Sequence, residues 1–303
     1  MSHEHCNWDY LFDKANFAEL QNGLYMTELV STVLSIIASL MGLLTNLRFD
    51  LSYRNLIYFT MATGLRRVIY YLISGSIESC NYVGWWNTFI SVYEVECLTH
   101  VCIERYVVAK YINNGWSIIK WHYPMYQVLC VLFACLYSFP PLFGIGNYSL
   151  DFTCDTCAFN MELPDSWMKY AIVVIFLLRS VKSTSFMIVM LYWTRKLEIF
   201  NTRSVKMAEQ APFTQSVIAI TVVNLMCWLP LALLRGWVVF TNLIYGYMPM
   251  APSGEQVKWA LWLSSIAPAF TAATLFVADK GIRENITNIY QGLREYPTKN
   301  KNM

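Results

Sequence analysis

The sequence predicts an all-α membrane protein: a bundle of seven transmembrane helices followed by a short amphipathic cytoplasmic eighth helix. Three observations predict it. Of the 303 residues, 56% are hydrophobic and only 14% charged, against about a quarter charged in ordinary soluble domains. Seven apolar stretches come close to the roughly 20 residues that a helix needs to cross a hydrocarbon core of about 30 Å, where a helix satisfies its own backbone. Basic residues also gather on alternate connections, the bias expected of cytoplasmic loops.

Residues 1–23, "MSHEHCNWDYLFDKANFAELQNG", are polar and acidic and lack the apolar core of a cleaved signal peptide, so the first span is expected to direct its own insertion. The spans follow near 24–47, 53–76, 83–106, 125–145, 167–194, 213–241 and 257–279. The second and fifth carry charges and are the weakest by hydropathy. Short connections make residues 24–279 one transmembrane domain, and no internal repeat suggests an inverted-repeat transporter.

An odd number of spans puts the termini on opposite sides of the membrane. Arg48, Arg54, Lys110, Lys120, Arg195, Lys196, Arg203, Lys206 and Lys280 fall on one side, with Arg283, Arg294, Lys299 and Lys301 of the tail. Lys14 and Lys258 fall on the other, among acids such as Asp9, Asp13, Glu78, Asp151 and Glu255. The C-terminus is therefore expected in the cytoplasm and the N-terminus outside a plasma membrane. In residues 280–303, "KGIRENITNIYQGL" spaces Ile282, Ile286, Ile289 and Leu293 along one face, which predicts an amphipathic helix lying on inner-leaflet lipid.

Several functions are disfavoured. A net charge of +2 with no aromatic-interleaved basic patch argues against nucleic acid. The nine cysteines form no paired CxxC blocks at zinc spacing, and the lone "CDTC" at 154–157 lacks a second pair, so no metal is expected. No hydrolase or transferase constellation is visible, and an enzyme is not expected. The spans do enclose Arg66, Arg67, Glu94, Glu96, Arg179 and Lys182. An ionised side chain at mid-membrane costs roughly 2.5–3.5 kcal/mol on insertion scales, so such groups face inward and pair. Glu94 is expected to pair with Arg66 or Arg67, and Glu96 with Arg179 or Lys182.

"CLTHVCIERYVVAKY", residues 97–111, closes the third span with adjacent Glu104 and Arg105 before Tyr106. Cys80 stands 25 positions before Arg105, "CWLP" (Cys227 to Pro230) lies in the sixth span, and Asn46 ends the first. Together these resemble the rhodopsin-like (class A) G-protein-coupled receptors. The loop "PPLFGIGNYSLDFTCDTCAF", residues 140–159, narrows the resemblance to the opsin branch through Pro140, Pro141, Gly144, Tyr148, Asp151 and Cys157.

The resemblance implies that Arg105 couples to a heterotrimeric G protein, restrained at rest by Glu104 and by the sixth helix. On that helix Gln210 takes the place of the expected acid, with Glu209 preceding it, so a weak second restraint and elevated basal signalling are expected. It also implies a disulfide from Cys80 to Cys157, with Cys154 as the competing partner. Asn147 opens the sequon "NYS" on the expected outer side, a glycosylation candidate.

The opsin resemblance departs at its chemical centre. Retinal needs a Lys in the middle of the seventh helix, and alternative alignments put Ser265 or Ala273 there. Covalent retinal is therefore not expected as a cofactor. Val83 stands at the usual counterion place, and Thr271 and Ala272 replace the Asn and Pro of the seventh-helix motif. Asn87 stands where amine receptors carry Asp, which disfavours amines. Trp85, Trp86, Tyr93, Trp228, Trp259 and Trp262 supply aromatics for an apolar pocket, with Trp228 expected at its floor and Trp85, Trp86 and Trp259 expected rather to pack or to sit in the interfacial aromatic belt. A ligand pocket of Asn87, Asp151, Trp228, Trp262 and Ser265 is expected. The leading expectation is a receptor for a small apolar molecule, the alternative a retinoid receptor without the imine. A transporter or channel using the buried charges ranks third.

Overall fold

The computed structural model describes residues 14–46, 51–66, 80–111, 121–151, 156–160, 167–200, 205–245 and 252–278, with 283–284 and 287–288 beyond them. Among these residues lie seven long helices: α1 (Lys14–Asn46), α2 (Leu51–Leu65), α3 (Cys80–Tyr111), α4 (His122–Ser138), α5 (Trp167–Phe200), α6 (Val205–Tyr245) and α7 (Gly254–Ala278). A hairpin of β1 (Tyr148–Leu150) and β2 (Cys157–Phe159) joins α4 to α5, pairing antiparallel in the register Tyr148 to Phe159 and Leu150 to Cys157.

Several boundaries depart from the hydropathy reading, each for a local reason. α1 begins at Lys14 rather than near residue 24, because "KANFAEL" supplies good helix formers in Lys14, Ala15, Ala18, Glu19 and Leu20. α4 stops at Ser138 rather than near 145, since Pro140 and Pro141 bring no amide hydrogen and open a 3₁₀ turn, Pro140–Phe143. Gly144 closes that turn at φ 84°, a conformation that favours glycine. α6 runs 41 residues, continuing through Pro212 and Pro230. Residues 67–79 of the second span, and Ile282, Ile286, Ile289 and Leu293 of the expected eighth helix, lie outside the described residues.

Within α5 the α-helix gives way to one π turn at Leu178–Lys182 before resuming at Ser183. Such a turn inserts an extra residue and rotates the side chains beyond it relative to a regular helix.

The outward surface is apolar. Val30, Leu34, Ile37 and Leu44 on α1, Val174, Val181 and Ile188 on α5, and Val222, Met226 and Leu233 on α6 are all exposed. Continuous apolar stripes of this kind suit lipid rather than water. Four segments, Asn22–Leu44, Trp167–Phe200, Gln210–Tyr245 and Gly254–Ala278, are long and apolar enough to cross a bilayer by length and composition. The chain is a multi-pass membrane protein. α3, interrupted by Glu94, Glu96, Glu104 and Arg105, falls outside that criterion by its composition, and it carries many of the buried residues of the bundle.

α3 forms the axis of the bundle. Its Cys97, Leu98, Val101 and Cys102 pack with Leu56, Ile57 and Phe59 of α2, Cys130 of α4, Met187 of α5, Val217 and Ile220 of α6, and Leu275 of α7. α1 and α2 meet through small residues. A Cβ on Gly64 would lie 3.2 Å from Ser35, whose hydroxyl donates to the Thr60 carbonyl at 2.8 Å. Without a hydrophobic force between helices in lipid, such close backbone approach and interhelical hydrogen bonding hold neighbours together.

Candidate functional site

Two sites lie at opposite ends of α3. At the inner end Glu104 and Arg105 are buried, with 0% and 3% of their surface exposed. The Arg105 guanidinium donates from Nη2 to Glu104 Oε1 and from Nη1 to Gln210 Oε1 of α6, the latter at 2.9 Å. It also lies 4.5 Å from the ring centroid of Phe213, one turn further along α6, a cation–π contact. The Tyr123 hydroxyl of α4 stands 3.5 Å from the same Glu104 oxygen. Arg105 is therefore tied both to its own helix and to α6. Tyr106 is half-buried, with the Lys110 ammonium 5.7 Å from its ring.

At the outer end the Cys80–Cys157 disulfide, Cα to Cα 5.6 Å, fixes β2 to the start of α3. Cys154 lies outside the described residues. Gly84 explains how close the hairpin comes: a Cβ there would lie 2.6 Å from the Tyr148 ring. Tyr148 stacks on Phe159 at 5.2 Å and donates its hydroxyl to the Ser138 carbonyl at the end of α4 at 2.7 Å. Burial pushes this phenol's pKa well above its ordinary value. Asn147, just before β1, is exposed.

Beneath the hairpin a narrow cleft with a cavity volume of about 30 Å³ opens between α2, α3, α5, α6 and α7. Asn87, Thr88 and Ser91 of α3 line it with Thr156 of the hairpin, Trp228 and Leu231 of α6 and Ser264 of α7. Three guanidiniums line it as well: Arg66, Arg179 and Arg235. Arg235 binds Asp151 through Nε and Nη2, each 2.9 Å from Oδ2, which latches the hairpin to α6. Arg66 donates to Ser264 at 3.3 Å and acts electrostatically on Glu94, whose Oε1 accepts from Asn224 at 3.3 Å. Arg179 has no acid within ion-pair distance among the described residues and lies 5.6 Å from the Phe159 ring. Asn87 donates to Thr156 Oγ1, and its buried Oδ1 has no hydrogen-bond partner among the described residues.

Between the two ends, Glu96 meets Lys182 at 2.8 Å and Ser183 at 2.7 Å, while the Lys182 ammonium also lies 4.7 Å from the Phe133 ring. Glu94 forms no direct ion pair with Arg66 among the described residues: it accepts from Asn224 and feels the Arg66 charge at longer range, and Arg67 lies outside the described residues. Arg179, the other cation considered for Glu96, faces the cleft instead, because the π turn separates its direction from that of Lys182.

Among the described residues the cleft differs from the expected apolar pocket in its polar lining. Of the six aromatics, Trp228 alone lines the cleft. Trp262 packs beside Leu261 and Leu231, with its ring 3.3 Å from where a Gly23 Cβ would stand. Trp85 packs on Phe89 and Phe139, Trp86 donates to the Leu65 carbonyl, Tyr93 bonds Gln127, and Trp259 is exposed. Ser265 also stands outside the cleft, donating 3.1 Å to Glu28 of α1, while its neighbour Ser264 takes the cleft position.

The sequence reading missed Arg235, Glu28 and Ser264. For Arg235 a signal existed: Trp228, Leu231 and Arg235 recur at i, i+3 and i+7, one face of a helix. Glu28 follows the polar N-terminal segment and reads as an end-of-helix charge until the fold buries it.

An axial helix tied to its sixth neighbour at one end and to a disulfide-anchored hairpin at the other is an arrangement of the rhodopsin-like G-protein-coupled receptor fold, and the chain has that fold. A crystal structure of squid rhodopsin is similar to it at TM-score 0.75, with 97% of this chain and 90% of that chain covered at 15% sequence identity. No family model matches the sequence, and no curated protein does.

Proposed function

We propose that the protein is a G-protein-coupled receptor of opsin-like ancestry that transmits occupancy of its outer cleft to a heterotrimeric G protein through Arg105. It would sit in the plasma membrane with its N-terminus outside and the Arg105 end in the cytoplasm, and it would not be an enzyme. The observation that carries the reading is the bridge from Glu104 through Arg105 to Gln210. A buried guanidinium needs its partners, so α6 is held against α3 while the bridge stands. A ligand that favours an outward position of the inner end of α6 breaks the Gln210 and Phe213 contacts together. Arg105 is then free to meet the G protein. Because α6 carries Arg235 in the cleft and Gln210 at the inner end, one helix spans the signal path.

The ligand is proposed to be a small molecule held without covalent attachment. Ser265, at one of the two aligned positions of the retinal Lys, has no amine and is already bonded to Glu28. The likeness to squid rhodopsin favours a non-covalent retinoid as second reading. Three guanidiniums in the cleft weigh against it, and against the apolar ligand that the aromatics suggest, since an apolar body would desolvate them without supplying partners. A transporter has less support, as Glu96 and Lys182 tie α3 to α5 in the manner of a structural pair.

The test is basal activation of each Gα class by biosensor, at matched surface expression, in wild type and Arg105→Ala. Activation of at least one class, lost in the variant, is expected. Vector-level output from wild type in every class, or output indifferent to the substitution, would overturn the reading.

A further inference from the structure

Three cations line a single cleft, and their surroundings differ. Arg235 is held by Asp151, and Arg66 lies within the electrostatic reach of Glu94. Arg179 has neither arrangement: no acid stands within ion-pair distance among the described residues, and Arg235 and Arg66 both act on it as like charges. Asp151 attracts it, but that carboxylate is engaged by Arg235. A half-buried guanidinium facing two others is an arrangement that an added anion relieves, because one carboxylate accepts two parallel N–H bonds from a guanidinium fork. Hydrogen-bonding side chains converge on the same space, with Ser91, Thr88 and Thr156 lining it beside Asn87. The Asn87 Oδ1 atom, buried and unpartnered among the described residues, is an acceptor that calls for a donor, water or an N–H or O–H on the ligand's body, and not for the anionic group.

We infer that the cleft binds a small organic carboxylate, its anionic group between Arg179, Arg66 and Arg235 and its body toward Trp228. This rests on the receptor reading and names the ligand class of the same site. The cleft's small volume, polar lining and three guanidiniums favour a compact acid and disfavour a long apolar chain. Contact with Arg235 would also compete with Asp151 for the same guanidinium, so the ligand would loosen the hairpin from α6 at the point where α6 begins its path to Gln210.

The test uses the full chain in lipid nanodiscs and follows thermal unfolding with sodium propionate, or with propionamide, a neutral molecule of nearly equal shape. Ionic strength is held constant with sodium chloride. Propionate is expected to raise Tm with the logarithm of its concentration above Kd, by about 2 °C at ten times its Kd for a chain of this size. Propionamide should leave Tm unchanged, and Arg179→Gln should abolish the propionate response. Equal responses to the acid and the amide, no response to either, or a full response in Arg179→Gln would each overturn the inference. If Arg179→Gln does not fold, the acid–amide comparison on wild type decides alone. Arg105→Ala should keep the propionate response. Propionate binding without any G-protein output would sink the receptor reading and leave the carboxylate site standing; output without propionate binding would do the reverse.

Discussion

Arg105 Nη1 and Gln210 Oε1, 105 positions apart in the chain, stand 2.9 Å apart across the α3–α6 interface. An amide oxygen is a neutral acceptor, so it holds the guanidinium by one charge-assisted hydrogen bond where a carboxylate would add a full opposite charge. A hydrogen bond to a charged group contributes about 1.5–3 kcal/mol. Gln210→Ala is expected to raise basal G-protein activation severalfold, and Gln210→Glu to lower it below wild type. Biosensor output at matched surface expression checks both; an unchanged basal level in both variants would show that α6 is restrained elsewhere.

Glu96 anchors Lys182 at a depth where lipid surrounds the bundle. Removing one member of a buried pair leaves an uncompensated charge and costs about 3–5 kcal/mol. Glu96→Ala should therefore lose most surface expression, while Glu96→Gln with Lys182→Met restores it. The comparison is made by antibody labelling of intact cells, and a double variant no better than Glu96→Ala argues that the pair is not the unit of stability.

Gly84 leaves no room for a side chain under Tyr148, because the ring is stacked on Phe159 and its hydroxyl is bonded to the end of α4. Overpacking of a fixed neighbour costs about 1–3 kcal/mol. Gly84→Ala is expected to lower Tm in nanodiscs, and Gly84→Ala with Tyr148→Ala to lower it by less than the sum of the two single changes. Additive losses would mean that the ring moves aside freely.

The Cys80–Cys157 bridge closes a loop with a sequence separation of 77. Loss of a native disulfide costs roughly 2–5 kcal/mol. Cys157→Ser should lower Tm, and should also weaken any propionate response, because Thr156 and Ala158 flank the bridge and line the cleft. Unfolding curves of reduced and oxidised protein give the measurement.

The fold class was readable because membrane spans announce themselves by length and composition, and the disulfide because a spacing within a family pattern carries it. Side-chain direction was not readable. Glu96 and Lys182 were both candidates by depth, but nothing in the one-dimensional pattern says that a π turn sends Arg179 to the cleft and Lys182 to α3. The aromatic count suggested an apolar pocket, yet aromatics in a bundle pack with one another wherever helices cross, and Trp85, Trp262 and Tyr93 do that. Ser264 and Ser265 are adjacent in sequence and point to different sites, a distinction of about 100° around a helix that hydropathy cannot register.

The π turn at Leu178–Lys182 has a consequence for how the molecule can change over time. It acts as a phase joint: the part of α5 before it is set in rotation by the hairpin and the part after it by α3, and neither fixes the other. Substitutions that reshape the hairpin end can therefore accumulate without turning the other half out of register. One residue lost from this segment would remove that freedom and couple the two halves into a single rigid rod.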